Sequence, residues 1–135
     1  MVRETKFKKG LKGKGVTHDS TSHTATSDGT GTGTILGETS MVEVTSSNAD
    51  YIVVLPSAVV GRRITIVHDD SVDCELRTSD PTNIALNNVT GAGKELVLTA
   101  GEWGIAQCIV GGASGKWTYT KFSNVGASAG GGTPD

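Results

Sequence analysis

Between residues 34 and 122, short apolar stretches alternate with polar turns at the spacing typical of an all-β protein. Residues 41–45 alternate apolar and polar side chains, whereas residues 51–55 are continuously apolar and are followed by a proline. An alternating strand covers a core with one face, and a continuously apolar strand is buried on both. The pattern predicts about eight strands, at residues 41–45, 51–55, 62–68, 74–78, 83–86, 95–99, 103–110 and 116–122.

This succession of short strands, with no helical period, predicts an antiparallel β-sandwich or barrel of jelly-roll type. We find no sequence period that indicates a repeat array. The flanking segments are rich in Gly, Ser and Thr, a composition typical of flexible chain. We therefore expect one β-domain at residues 34–122, an extended N-terminal arm at residues 1–33, and a Gly-rich C-terminal tail at residues 123–135.

Charge is distributed unevenly along the chain. Residues 1–14 hold six of the 12 Lys and Arg residues and a single Glu, a net charge of +5, although the whole chain is at −2. The rest of the chain is therefore acidic, and a basic arm on an acidic body suits an acidic partner surface. The candidate binding residues of this arm are its cations and its two large apolar side chains: Arg3, Lys6, Phe7, Lys8, Lys9, Leu11, Lys12 and Lys14.

The basic arm allows three interpretations: a solubility tail, a nucleic-acid binding segment, or a segment that docks on a protein. Phe7 and Leu11 favour the protein partner, because buried apolar anchors dominate protein interfaces, whereas binding to phosphates needs only charge. The acidic body has no basic cluster beyond Arg62 and Arg63. A nucleic-acid partner is therefore not expected.

The two cysteines, Cys74 and Cys108, both lie in strand-like runs. The basic start of the chain is not followed by the apolar stretch of a secretory signal, so we expect cytosolic synthesis and two buried, reduced thiols rather than a disulfide. The longest apolar run, residues 52–55, is far too short to span a bilayer. No membrane association is expected.

Motifs for catalysis are weak. Residues 29–33 alternate Gly and Thr, but a dinucleotide-binding loop needs a preceding strand and a following helix. His18, Asp19 and Ser20 are neighbours in the predicted arm, whereas a catalytic triad needs side chains that converge from a rigid scaffold. We therefore expect no enzymatic activity and no cofactor.

Candidate metal ligands are also few. His18 and His23 have no scaffold to hold them around an ion, and solvated histidines are the preferred interpretation. His68, Asp69 and Asp70 lie at the end of a predicted strand and could bind a cation, but a polar turn is preferred. We expect no metal site.

Three aromatic residues, Trp103, Trp117 and Tyr119, could contact a glycan or another subunit. Trp117 and Tyr119 are two residues apart on one strand, so their side chains are expected on the same face. Packing in the core or in a subunit interface is the preferred interpretation for both tryptophans. Stacking against a sugar is the alternative.

Four segments together resemble the small β-domains of tailed-phage virion proteins, a group that includes capsid decoration proteins, head fibres and tail-fibre segments. They are residues 51–56 (YIVVLP), 60–67 (VGRRITIV), 83–87 (NIALN) and 115–118 (GKWT). The resemblance covers residues 49–121 or so. His68 stands where that pattern usually has Asn after the second strand, so this turn is expected to differ.

The resemblance implies a structural protein of the virion, located at the capsid surface and made in the host cytoplasm. It implies a homotrimer attached to a shell, and it implies no catalytic residues. Combined with the basic arm, it predicts a capsid decoration (cement) protein whose arm binds the major capsid protein and stabilises the head. The alternative is a head-fibre or tail-tip module that binds host surface glycans, with Trp103, Trp117 or Tyr119 as stacking platforms.

Overall fold

The computed structural model describes residues 20–122, which form nine β-strands and one short 3₁₀ turn at Gly31–Gly33. No α-helix occurs in this part of the chain, and the all-β prediction is confirmed. The strands are β1 (Ser20–Thr24), β2 (Met41–Thr45), β3 (Ile52–Val54), β4 (Arg63–His68), β5 (Cys74–Arg77), β6 (Ala85–Leu86), β7 (Leu96–Leu98), β8 (Trp103–Val110) and β9 (Lys116–Phe122).

The strands form two sheets of mixed direction. The larger has the order β1-β2-β4-β8-β9-β6, and the smaller has the order β3-β5-β7. The pairs β1–β2, β2–β4, β3–β5 and β6–β9 are parallel, whereas β4–β8, β8–β9 and β5–β7 are antiparallel. The expected wholly antiparallel arrangement is therefore wrong for the described strands.

The parallel pairs arise because the chain winds between the two sheets. It passes from β2 in the larger sheet to β3 in the smaller one, and then returns through β4 and β5 in the same directions. Successive windings align Ser20, Met41 and Thr65 in one sheet, at intervals of about 20 to 24 residues. This interval is within the range of solenoid repeats. The backbone thus repeats over a short stretch although the sequence shows no period, and the repeat ends after β5, because β7, β8 and β9 form antiparallel pairs.

The first strand lies in a segment that the sequence assigned to the flexible arm. β1 pairs in parallel with β2 along its whole length, and Thr26 and Thr34 form bridges to β3. The folded part therefore includes residues 20–33, rather than beginning at residue 34 as predicted. His23 differs from expectation for the same reason. It is buried, with Nδ1 2.9 Å from the Thr32 carbonyl oxygen and Nε2 3.0 Å from the Thr21 hydroxyl.

The core is built from the inward side chains of both sheets, which form one apolar cluster. β2 and β4 alternate buried positions with exposed or half-buried ones, as the sequence pattern predicted. Trp117 on β9 is the largest fully buried side chain. Burial of a large apolar side chain contributes roughly 1.5–3 kcal/mol, so this cluster is the main source of stability. Its further members include Val42, Val44, Val53, Ile64, Ile66, Leu76 and Leu98.

The strand β8 contributes small inward side chains opposite large ones on β9. Ala106 pairs with Tyr119 and Cys108 pairs with Trp117. Gly104 is tightest, because a Cβ atom there would lie 2.5 Å from the Tyr119 ring and from the Thr120 carbonyl oxygen. The bulky residues of β9 therefore fill space that β8 leaves empty, and the large side chains of β8 point the other way.

Candidate interaction surfaces

The predicted arm residues Arg3, Lys6, Phe7, Lys8, Lys9, Leu11, Lys12 and Lys14 lie outside the described residues, as does the C-terminal tail. What the structure does show is where these segments join the domain. The N-terminal segment leads into β1, which is an edge strand of the larger sheet. The C-terminal segment follows Phe122 at the end of β9.

Two of the three candidate aromatic residues are part of the core. Trp117 and Tyr119 lie on the same inward face of β9, as their spacing predicted, with relative exposures of 0% and 6%. Burial, with smaller contributions from Glu102 and Cys74, raises the pKa of the Tyr119 phenol. Neither ring is available to stack against a sugar, and the core interpretation of Trp117 is confirmed.

Trp103, in contrast, lies on the outward face of the larger sheet. Its indole is stacked on the ring of Phe122, with the centroids 4.5 Å apart and the planes at 22°. The residues remain 37% and 38% exposed. Stacking of this kind fixes the orientation of both rings. Trp103 is therefore the one aromatic residue of the three that offers a rigid ring to a partner.

Trp103 belongs to a row of neighbouring side chains that crosses four strands. Glu43 on β2 pairs with Val67 on β4, which pairs with Trp103 and then with Phe122. The next row contains Met41, Thr65 and Ile105. We call this surface the outer face, defined by Met41, Val67, Trp103, Ile105 and Phe122. Such a face is usually polar when it meets only water, so five large apolar residues make it a candidate binding surface.

Two neighbouring grooves lie on the outer face, and Met41 lines both of them. One groove, of about 270 Å³, is lined by residues of β1, β2 and β4 and by Asp69, and its acidic members are Glu43 and Asp69. The other, of about 350 Å³, includes Arg63 in its lining. The face is therefore apolar in its middle, acidic near the end of β4 and basic near its start.

A second apolar surface lies where the turn before β4 meets the end of β8. Gly61 N donates to the Cys108 carbonyl oxygen at 2.9 Å, which holds the two segments side by side. Val59, Val60, Ile109 and Val110 are all exposed there, Val60 to 67%. We call these four residues the apolar pole. The sequence did not predict this surface, although the pairs Val59-Val60 and Ile109-Val110, each followed by a glycine, are visible in it.

The segment 68–70 is a polar turn, as preferred from the sequence. The Asp70 carboxylate accepts hydrogen bonds from the backbone N–H groups of Ser71 at 2.6 Å and Ser46 at 2.8 Å. These bonds, in that order, lower the pKa of Asp70. His68 points away into the core and is 1% exposed. Residues 20–122 contain no group of three side chains that could hold a metal ion.

Both cysteines are buried and unpaired, as predicted. The sulfur of Cys74 lies 3.8 Å from His68 Nε2, and that of Cys108 lies 3.1 Å from the Val110 carbonyl oxygen. Burial first, and then nearby carboxylates, raise the pKa of Cys74 to about 12. A thiol with this pKa stays protonated at neutral pH and is a poor nucleophile.

No family model, no curated protein and no solved structure matches this chain. The described residues also include no helix long and apolar enough to cross a membrane. Among the described residues, the two exposed apolar surfaces are the features that indicate a function.

Proposed function

We propose that the chain is a structural protein of a tailed-phage virion, a capsid decoration protein that binds the major capsid protein lattice and stabilises the head. The observation that carries the proposal is the apolar pole. Clusters of exposed apolar side chains are a recognised mark of protein interaction sites. The four side chains of the pole are 43–67% exposed, although burying them would stabilise a small domain.

The pole adds to the basic arm rather than replacing it. A preformed apolar contact and a separate charged segment on the same chain form a two-point attachment, in which each contact raises the effective concentration of the other. Residues 1–14 would supply charge with Phe7 and Leu11 as anchors, and the pole would supply the preformed contact. On a shell with many identical sites, modest affinity at each point is sufficient for stable coverage.

The test is co-sedimentation of the purified full chain with capsids assembled from the major capsid protein encoded alongside it. Saturable binding is expected. Replacing two exposed side chains of the pole, by Val60→Ser with Ile109→Thr, should weaken binding at least tenfold, since each loses on the order of 1–2 kcal/mol of apolar burial. A chain beginning at Gly15, which keeps every described residue, should lose affinity through the arm.

The matched control is Val97→Ser with Val89→Thr, two side chains that are 49% and 50% exposed elsewhere on the domain. This control should bind like the original chain. If neither the full chain nor any variant binds capsids, the capsid assignment is wrong. If the control weakens binding as much as the pole variant does, the pole is not the contact.

The second candidate is a head-fibre or tail-tip module that binds host glycans, and one observation favours it. Trp103 presents a partly exposed indole on a rigid strand, held by its stacking on Phe122. Aromatic faces of this kind bind the apolar faces of sugar rings. Glycan-array binding that is lost in Trp103→Ala, with no capsid binding, would select this alternative.

A further inference from the structure

The outer face is apolar beyond what the fold needs. The core is closed on the opposite side of the same strands, so Met41, Val67, Trp103, Ile105 and Phe122 contribute little to it. They nevertheless lie in two neighbouring rows on the adjacent strands β2, β4, β8 and β9. A flat sheet face of this composition packs well on another sheet, at a separation of about 10 Å.

We propose that the outer face binds a second copy of this chain, face to face, about a twofold axis. Charge complementarity identifies this occupant. Arg63 is the first residue of β4, and Asp69 immediately follows its last. At about 3.3 Å per residue they lie roughly 20 Å apart along the strand. Both line grooves that open on the outer face, and neither forms a salt bridge within residues 20–122.

A twofold axis that lies between the two faces, level with the middle of β4 and perpendicular to that strand, makes these charges complementary. In such an interface, residue i of one copy meets residue j of the other, and j meets i. Arg63 of each copy would then face Asp69 and the nearby Glu43 of the other. Two equivalent ion-pair sites form, one at each end of the apolar stripe. The face is thus self-complementary in charge as well as in apolarity.

The basic N-terminal segment fits this face less well. Its net charge of +5 suits Glu43 and Asp69 at one end, but it meets the unpaired guanidinium of Arg63 at the other. A ring of three copies also fits less well, because a threefold interface joins two different patches. Here the same outer face carries both the basic residue and the acidic residues that would pair. The inference is independent of the capsid proposal and departs from the trimer that the sequence resemblance implies.

The size of the face predicts weak association. Four strands at a spacing of about 4.8 Å, each contributing about five residues at about 3.3 Å per residue, give a footprint of roughly 300 Å² per copy. A standard stable interface buries about 800 Å² per partner. A concentration-dependent dimer, with a dissociation constant in the micromolar range or weaker, is therefore expected.

The experiment is sedimentation equilibrium of the full chain from about 1 µM to 1 mM, which is the range in which weak interfaces dissociate. The expected result is a monomer–dimer equilibrium. Arg63→Glu places two like charges at both equivalent sites and should weaken the dimer at least tenfold, and Asp69→Arg should do the same. An equimolar mixture of these two variants should associate again, because each site then pairs opposite charges.

The matched control is Lys94→Glu, the same change of charge in an exposed loop away from the outer face. It should associate like the original chain, and circular dichroism should show that all four proteins fold alike. Recovery in the mixture is decisive, since damage to folding in either variant would not be repaired by mixing.

Three results would overturn the proposal. The chain could remain monomeric at 1 mM, or it could form a trimer whose mass ignores the charge reversals. It could also associate through residues 1–14, so that a chain beginning at Gly15 is monomeric while Arg63→Glu still associates. Capsid binding is measured separately, so failure here leaves the proposed function standing, and failure there leaves the dimer standing.

Discussion

The contact between Gly104 and Tyr119 makes a sharp prediction about how this domain is held together. Gly104→Ala adds a single methyl group, and that group would lie 2.5 Å from Tyr119 Cζ, from the Tyr119 hydroxyl oxygen and from the Thr120 carbonyl oxygen. Real Cβ atoms essentially never come within 3.0 Å of a heavy atom outside their own residue and its chain neighbours. The ring must therefore move out of its 6%-exposed position, or β9 must separate from β8.

The cost follows from two opposing effects. Overpacking a tight core site costs typically 1–3 kcal/mol, and here one of the contacts is backbone that cannot rotate away. Against this, replacing Gly by Ala stabilises by about 0.4–1 kcal/mol, because the unfolded chain loses freedom. The expected net loss is about 1–2 kcal/mol. For a domain of this size each kcal/mol lowers Tm by about 4–8 °C, so Tm should fall by roughly 5–15 °C.

The assay is urea unfolding followed by tryptophan fluorescence, because Trp117 is fully buried and Trp103 is only partly exposed. A double-mutant cycle with Tyr119→Leu isolates the ring contact. Gly104→Ala should cost less in that background, although the contact with the Thr120 carbonyl oxygen remains. The control is Gly93→Asn, at a left-handed position with open space around it, which should be close to neutral. Unchanged stability of Gly104→Ala would refute the packing of β8 against β9 described above.

Three further predictions concern the rest of the domain. Asn87→Ala should lower the free energy of unfolding, measured in urea, by about 1–3 kcal/mol. The side-chain amide of Asn87 forms two hydrogen bonds to the backbone of β9, and its φ is +51°. The control Asn88→Gly, at φ +65°, should be tolerated. The pKa of Asp70 is lowered in the fold, so its contribution to stability is present above its ordinary value of 3.8 and is lost as pH falls through the lower, folded value; Asp70→Asn should reduce the decline of Tm on the acid side. Cys74 and Cys108 should not react with Ellman's reagent at pH 8 until the chain is unfolded, because both are buried and burial raises the pKa of both thiols; fast reaction in the folded state would contradict their burial.

Strands with their own alternating or apolar pattern were predictable, and β1 was not. All eight strands expected between residues 41 and 122 occur, with boundaries shifted by a few residues. β1 has the sequence STSHT, which contains no large apolar side chain. It is held instead by its ladder to β2 and by His23, whose ring hydrogen-bonds within the same segment. Such a strand forms only because a neighbouring strand provides a template, and composition alone then indicates flexible chain.

The parallel direction of several strand pairs could not be predicted from the sequence for a related reason. Short strands at even spacing are typical of antiparallel sandwiches, in which each turn returns the chain beside itself. In this chain the turn after β2 leads to the other sheet, so the next strand of the first sheet arrives in the same direction. In strands such as β2 and β4 the hydrophobic pattern indicates which face is buried, but it does not indicate which strand lies beside them.

The position of Trp103 shows how the same limitation applies to the candidate site. Residues 103–110 alternate the large Trp103 and Ile105 with the small Gly104 and Ala106. A reading by hydrophobicity alone places the large residues inside. The structure buries the small ones, because Tyr119 and Trp117 on β9 already occupy the volume next to them. The neighbouring strand β9 therefore decides which face of β8 turns inward, and the sequence of β8 alone does not predict it.

This inversion also bears on what the outer face is for. If the core required the bulk of Trp103 and Ile105, their size would be explained by folding, but the core is filled from β9 instead. Smaller polar side chains at these outward positions would leave the core contacts untouched and would remove apolar surface from water. Large apolar residues that folding does not require are explained by binding. Their alignment with Val67 and Phe122, between a basic and an acidic end, is the arrangement that a second copy of the same face complements.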